Sequence, residues 1–272
     1  MQPTVSVVVT TKNSGLTLRT CLTSIQSQTY NRIEIIVVDN NSTDNTKLIA
    51  LDYTKHIFEK GPERSAQRNY GASKASGQYL LYIDSDMELS PRVIEECVEL
   101  SIQNGIGALY IPEIIAGNSV WSRVRTYERS FYNATVIDAV RFVRKDVFDN
   151  VKGFDETLTG PEDWDFDKRV RAVGKVGIIH SPLYHHEEKT SIKTYLQKKM
   201  YYANDFAKYV KKWGSQDKDI AKQLGFNYRY IQVFTEKGKW RLLLFNPVLT
   251  ILMFGLRFLL GVLYLFHYRK KT

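Results

Sequence analysis

Apolar and polar positions along the first ninety residues alternate between two kinds of segment. Thr4–Thr11 (TVSVVVTT) and Ile33–Val38 (IEIIVV) are short, β-branched and apolar almost throughout, the pattern of strands covered on both faces. Between them, Leu18, Leu22 and Ile25 fall at helical spacing within 16–28. Further helices are expected at 45–51 and 64–76, a short strand at 56–58 and a longer one at 79–83. Strands alternating with helical patterns predict parallel β-α-β units joined by right-handed crossovers. Beyond Ser90-Pro91, a plausible cap and first turn, the pattern predicts a helix to about 103 and a strand within 106–115. It then predicts a strand at 139–144, a helix at 145–151, a helix at 164–173 and a strand at 176–179. The expected class is therefore α/β, with a mostly parallel sheet flanked by helices.

In such sheets ligands bind beyond the carboxyl ends of the strands. Asn13, Asp39, Asp84 and Asp86 all fall at such ends. Residues two apart share a strand face, so Asp84 and Asp86 of Tyr79-Leu80-Leu81-Tyr82-Ile83-Asp84-Ser85-Asp86 can converge on one point. Converging carboxylates suit a hard divalent cation, Mg²⁺ or Mn²⁺, which shares its oxygen ligands with substrate phosphates. The plainer reading is a strand ending in an acidic turn. Asp39 could accept from a base edge, whereas Ser42 and Asp44 serve equally well as helix caps. Arg64 and Arg68 lie four apart on one helix face and could meet a diphosphate. Glu162-Asp163 opens a helix after Gly160-Pro161, where a carboxylate can serve as general base or simply favour the first turn. His185 and His186 follow a strand, and one of them could complete a metal shell.

The chain has 272 residues, with a net charge of +9. This balance favours an anionic partner, such as a nucleotide or an anionic membrane surface. Two cysteines without metal spacing, Cys21 and Cys97, argue for a reducing compartment, and no secretory signal is visible. From Trp240 to Tyr268 the chain is strongly apolar, with Arg241 and Arg257 its only full charges. Val248–Tyr268 is 21 residues, enough to span a bilayer, although Arg257 at its middle is costly in lipid. Membrane association is expected, as a single span, a re-entrant pair or interfacial helices. The aromatic and basic stretches 121–132 and 226–241 would suit a headgroup region. The alternative is a C-terminal helix packed on the catalytic domain.

Six segments in order resemble the family 2 glycosyltransferases, whose nucleotide-sugar-binding domain has the GT-A fold. They are Val7–Asn13 (VVVTTKN), Val37–Asp44 (VVDNNSTD), Ala66–Ala72 (AQRNYGA), Tyr82–Asp86 (YIDSD), Gly153–Glu156 (GFDE) and Gly160–Asp165 (GPEDWD). The resemblance implies inverting transfer of a hexose from a nucleoside diphosphate sugar, UDP- or GDP-linked. It implies Asp163 as catalytic base with Glu162 its neighbour, and Thr11, Asn13, Asp39, Arg68, Asp84 and Ser85 around the nucleotide. It implies Asp84 and Asp86 on a divalent cation, Mn²⁺ or Mg²⁺, whose shell His185, with His186 the alternative, would complete; Trp164, Gln197 and Tyr201 are expected near the acceptor. In processive relatives a Q-x-x-R-W motif follows the base; here Gln197–Tyr201 (QKKMY) carries Met and Tyr at the Arg and Trp positions, which argues against processive polymer synthesis. The apolar tail points to a lipid-linked acceptor, or a polyprenyl phosphate, at the cytoplasmic face of the cell membrane, and nucleic acid is not expected. The anticipated organisation is a GT-A domain over 1–212, a linker or interfacial segment over 213–239, and membrane-associated helices over 240–272. Competing readings are a D-x-D phosphotransferase with Asp84 as nucleophile and a non-catalytic nucleotide-binding membrane scaffold.

Overall fold

The structure is a computed structural model that describes residues 2–186 and 205–269. Its first half follows the sequence pattern closely. Strands β1 (Val5–Thr11), β2 (Ile33–Asp39), β3 (Ile57–Glu59) and β4 (Tyr79–Asp84) alternate with helices α1 (Leu18–Gln26), α2 (Thr46–Leu51) and α3 (Arg64–Lys74). After β4 the chain makes β5 (Met87–Leu89), α4 (Val93–Asn104), β6 (Ala108–Tyr110), β7 (Glu113–Ile115) and α5 (Val120–Ser130). It continues through β8 (Phe142–Arg144), α6 (Lys145–Asn150), α7 (Glu162–Val173), β9 (Val176–Ile178) and β10 (Leu183–His185). The main sheet has the order β3-β2-β1-β4-β8-β6-β9. It is parallel except at β8, which runs antiparallel to both its neighbours.

Period-two alternation divides the core into two layers. Val5, Val7 and Val9 face a cluster with Leu22 and Ile25 of α1 and Ile94 and Cys97 of α4. Val8 faces the other way, onto Ala72 of α3, Phe148 of α6 and Phe166 and Val170 of α7. All of β1 is thus buried, which accounts for its unbroken apolar run. Gly71 lets α3 lie close on this sheet, because a Cβ there would come within 2.4 Å of Val8 Cγ1. Helix α4 stops at Gly105, whose φ of 61° only glycine adopts cheaply.

The strand expected within 106–115 is two strands in two sheets, separated at Pro112. Proline supplies no backbone N–H to a ladder, so the chain changes sheets there. The second sheet, β5-β10-β7, was not legible in the pattern: each strand has three residues. Its consequence is local, since β5 begins directly after Asp86.

The C-terminal third forms α8 (Phe206–Trp213), α9 (Lys218–Leu224), a π-helical turn (Tyr228–Gln232), α10 (Val233–Thr235), α11 (Trp240–Phe245) and α12 (Pro247–Arg269). Among the described residues no helix is long and apolar enough to cross a membrane. One face of α12 packs on α5: Met253 is buried with Val124, Tyr127, Phe131, Tyr228 and Phe234. Arg257, awkward for a span, pairs with Glu128 of α5 and donates from Nη2 to Arg229 O at 2.6 Å. The expectation that 121–132 and 226–241 both face lipid headgroups is therefore corrected for the greater part of the first stretch. Helix α5 is largely an interior helix, and its buried Arg125 and Glu128 pair with each other, Nη1 lying 2.7 Å from Oε2. The remaining faces of α11 and α12 expose Leu244, Phe245, Val248, Ile251 and Phe258.

Candidate active site

Three strand ends and one helix start meet along one edge of the main sheet. Strand β4 ends at Asp84, and Thr10 on neighbouring β1 donates to its Oδ1 at 3.0 Å. Helix α3 brings two arginines across this edge. Arg68 Nη2 lies 3.2 Å from Asp84 Oδ1, and Arg64 Nη1 lies 3.6 Å from Asp84 Oδ2. The same guanidinia reach the start of α7: Arg68 Nη1 meets Asp163 Oδ1 at 2.6 Å, and Arg64 Nη2 meets Glu162 Oε1 at 3.1 Å. One buried arginine thus holds the acid at the end of β4 and the acid at the start of α7 together. Its side chain is 2% exposed, that of Asp163 34%.

This placement sharpens the role anticipated for Arg68. Both of its Nη atoms are taken by carboxylates, and its face stacks on Phe154, 5.1 Å from ring centroid to Cζ. It is buried between the two acids, and the half-buried Arg64 is the arginine nearer the surface. The Gly153-Phe154 segment follows from this. Asn69 of α3 donates from Nδ2 to Phe154 O at 2.9 Å and accepts from Phe154 N at 2.8 Å, clamping the ring under Arg68. Gly153 has φ 64° there, and a Cβ would lie 2.5 Å from Asn69 Oδ1. Gln67 secures the same helix by donating to Thr11 O and Val38 O at 3.0 and 2.6 Å.

The electrostatics follow from these contacts. Burial would raise the pKa of Asp84, but Arg68 and then Arg64 outweigh it and hold the carboxyl well below its usual range. Glu162 moves the other way: burial and the neighbouring Asp163 charge raise it. Glu162 also accepts from Gly160 N, so it braces the turn that presents Asp163.

Asp39 is fully buried. Its Oδ1 accepts from Thr11 Oγ1 at 2.7 Å and Ser42 Oγ at 2.5 Å, and its Oδ2 accepts from Ser42 N at 2.7 Å. It organises the loop after β2 in this conformation. Asp44 caps α2, accepting from Thr46 N at 3.0 Å, and also accepts from Gly15 N. Asn13, with φ 47°, accepts from Thr43 N at 2.9 Å, and Ser85 Oγ donates to Ser14 Oγ at 2.7 Å. Thr11, Asn13, Asp39 and Ser85 thus share one loop cluster beside Asp84. Trp164 donates from Nε1 to Ile137 O at 3.2 Å and packs against Phe206 at the start of α8. Gln197 and Tyr201 lie outside the described residues.

Strand pairing sends the two histidines to different partners. His186 N donates to Asp86 O at 2.9 Å, which sets β10 beside the turn after β4. His185 then points at the acids: Nε2 lies 3.3 Å from Asp86 Oδ2 and Nδ1 lies 2.7 Å from Glu113 Oε1. Burial pushes its pKa down, but the bonds to Asp86 and Glu113 prevail and hold it up at about 10. His186 turns away to Glu88, 3.0 Å distant. Asp86 Oδ1 is buried without a hydrogen-bond partner among the described residues, as an oxygen reserved for a cation would be. No three His, Cys, Asp or Glu side chains among the described residues form a ready cage. Mg²⁺ and Mn²⁺ use one or two carboxylates and complete their shell with water and substrate phosphate. Asp86 and His185, with Asp84 adjacent, fit such an ion.

The family model described as glycosyl transferase family 2 matches residues 6–154. The chain is 30% identical over 107 residues to the Escherichia coli protein named uncharacterized glycosyltransferase YibD, covering 37% of this chain and 31% of that one. It is 27% identical over 137 residues to the E. coli UDP-Glc:alpha-D-GlcNAc-diphosphoundecaprenol beta-1,3-glucosyltransferase WfgD, covering 47% and 53%. The matched stretch thus spans about half or less of these curated relatives. In structure it is similar to the mannosyltransferase PcManGT of Pyrobaculum calidifontis, solved with GDP-Man and Mn²⁺. The TM-score is 0.61 at 19% identity, over 78% of this chain and 65% of that one. The α/β architecture with its mostly parallel sheet is GT-A-like, as expected. The edge that unites Asp84, Arg68 and Asp163 lies in this GT-A-like fold, and the chain belongs to glycosyl transferase family 2.

Proposed function

We propose that this protein is an inverting, divalent-metal-dependent hexosyltransferase that moves a sugar from a nucleoside diphosphate donor to a lipid-linked acceptor at the cytoplasmic face of a membrane. The observation that carries the reading is the single buried guanidinium of Arg68 bridging Asp84 and Asp163. In this reading it links the acid assigned to the donor's diphosphate with the acid assigned to the acceptor.

In this scheme Asp163, at the partly open rim, removes the proton from the attacking acceptor hydroxyl. Its Oδ1 is oriented by Arg68, so its remaining oxygen is the one presented to the acceptor. Attack on the anomeric carbon opposite the leaving diphosphate inverts that centre in one displacement. A divalent cation held by Asp84, Asp86 and His185 would supply charge neutralisation for the departing diphosphate. Arg64 can exchange its long 3.6 Å contact with Asp84 for the donor's phosphates. Thr11, Asn13, Asp39 and Ser85 shape the nucleoside side, and Trp164, with Gln197 and Tyr201, the acceptor side.

The acceptor class rests on the tail and on one relative. Helix α12 docks through Met253 and Arg257, while Phe245 and Phe258 on neighbouring exposed faces are 80% and 73% accessible. Arg241 sits beside this apolar surface, which suits an anionic lipid interface. WfgD is named for an undecaprenol diphosphate-linked acceptor. The test is a screen of UDP- and GDP-sugars with a membrane lipid extract as acceptor, with and without Mn²⁺, reading nucleotide release and the glycosylated lipid. Metal-dependent release with one donor is expected; no release with any donor would overturn the transferase reading for this chain.

A further inference from the structure

We propose that Glu113 is a positioning residue for the metal site, fixing the ring of His185 so that Nε2 is the nitrogen that meets the cation. The inference rests on the metal-dependent reading above and extends it to a carboxylate that no sequence motif marks.

The second sheet supplies the geometry. Its central strand β10 lies between β5, which starts one residue after Asp86, and β7, which starts at Glu113. The β7–β10 register pairs Leu183 with Glu113 and His185 with Ile115. Glu113 is therefore the same-face diagonal neighbour of His185, within reach of its ring. Two backbone bonds lock the strand on either side of that ring: His186 N to Asp86 O and Ala116 N to His185 O, both 2.9 Å.

The donors around Glu113 leave one arrangement. Its Oε2 accepts from Arg129 and, at 3.3 Å, from Arg141 Nη2. Guanidinia only donate, so Oε2 is committed as an acceptor. Oε1 faces His185 Nδ1 at 2.7 Å, and a carboxylate there requires the proton on Nδ1. With Nδ1 committed to Glu113, Nε2, which faces Asp86, is the ring nitrogen that gives up its proton to take the cation. Metal-ligating histidines commonly give their second N–H to a carboxylate in this way. The two arginines hold Glu113 from its other side, since both donate to Oε2 and leave Oε1 for the ring.

Glu113→Gln separates this role from simple packing. The amide must turn its oxygen to the arginines and its NH₂ to Nδ1. That ring nitrogen becomes an acceptor, the proton moves to Nε2, and the lone pair is lost to the metal. The test is Mn²⁺ titration of the full chain followed by electron paramagnetic resonance, in the presence of UDP and separately of GDP, with ¹⁴N electron spin-echo modulation on the bound ion. The wild type is expected to show imidazole nitrogen coupling, absent in His185→Ala. Glu113→Gln is expected to weaken Mn²⁺ about 10- to 100-fold and to lose the coupling. In the His185→Ala background, Glu113→Gln should change Mn²⁺ affinity no further. A folded Glu113→Gln protein with wild-type affinity and nitrogen coupling overturns the inference, as does a further loss in the His185→Ala background. If Glu113→Gln does not fold, the wild-type spectrum decides: no nitrogen coupling overturns it and coupling that His185→Ala removes supports it. Failure of the wild type to bind Mn²⁺ with either nucleotide would instead overturn the metal-dependent reading on which this rests.

Discussion

Replacing Arg68 by Met removes a buried charge that two carboxylates share. The effect divides unequally between them. Asp163 is 34% exposed and regains water when its 2.6 Å partner is lost. Asp84 is 18% exposed and, among the described residues, keeps the 3.6 Å contact to Arg64 and the 3.0 Å bond from Thr10. Breaking a buried pair by removing one partner costs about 3–5 kcal/mol. With Asp163 resolvated and Arg64 in place, the lower end, about 3 kcal/mol, is expected here. For a chain of this size that is a fall in Tm of roughly 6–12 °C. Asp84→Asn added to Arg68→Met should recover a large part of the loss, since the stranded charge is then gone. Arg68→Lys should restore more stability than activity, because an ammonium cannot hold two carboxylates in one fork. Chemical denaturation of the four proteins, paired with transfer kinetics, measures both. An Arg68→Met protein with wild-type Tm, or Arg68→Lys with wild-type kcat, would refute the reasoning that Arg68 positions both acids.

Arg257→Met should destabilise the docking of α12, and combining it with Glu128→Gln should show a coupling energy of at least about 1 kcal/mol; additive losses would contradict the ion pair as the anchor. The Asp155 carboxyl is held down at about 2: burial opposes this, and the hydrogen bond from Lys212 leads the groups that outweigh it. Because the folded pKa is depressed, its contribution is complete above the ordinary value near 4 and is lost as pH falls through 2. At this partly solvated site it amounts to roughly 1 kcal/mol. Asp155→Asn should therefore lower Tm at pH 7, and the difference from wild type should narrow below pH 4 and vanish near pH 2. Replacing Phe245 and Phe258 with Asp should abolish flotation with anionic liposomes while leaving donor hydrolysis in solution intact; unchanged flotation would remove that surface from the membrane reading.

The first four strands were legible because β-branched apolar runs covered on both faces admit few other structures. Asp84 and Asp86 were legible because they end such a run abruptly. The short strands β5, β7 and β10 were not, since three residues carry no period and their pairing depends on partners up to about a hundred positions away. That pairing is what distinguishes His185 from His186 and brings Glu113 to the site. Arg68 was expected to meet a diphosphate from the helix face it shares with Arg64, and its burial was not legible. Its burial depends on Phe154 and Asp163, each more than eighty positions downstream, and no local pattern reports them. Arg257 looked costly for the same reason: its partner Glu128 lies on a helix far back in the chain.

The central claim is that Asp163 carries the proton of the acceptor while the donor is held elsewhere. Asp163→Asn, assayed for transfer and, separately, for binding of the donor nucleotide with Mn²⁺, tests it directly. Transfer reduced about 10²- to 10⁴-fold, with nucleotide affinity within a few-fold of wild type, is expected. Transfer at the wild-type rate, or transfer and nucleotide binding lost in equal measure, would contradict it.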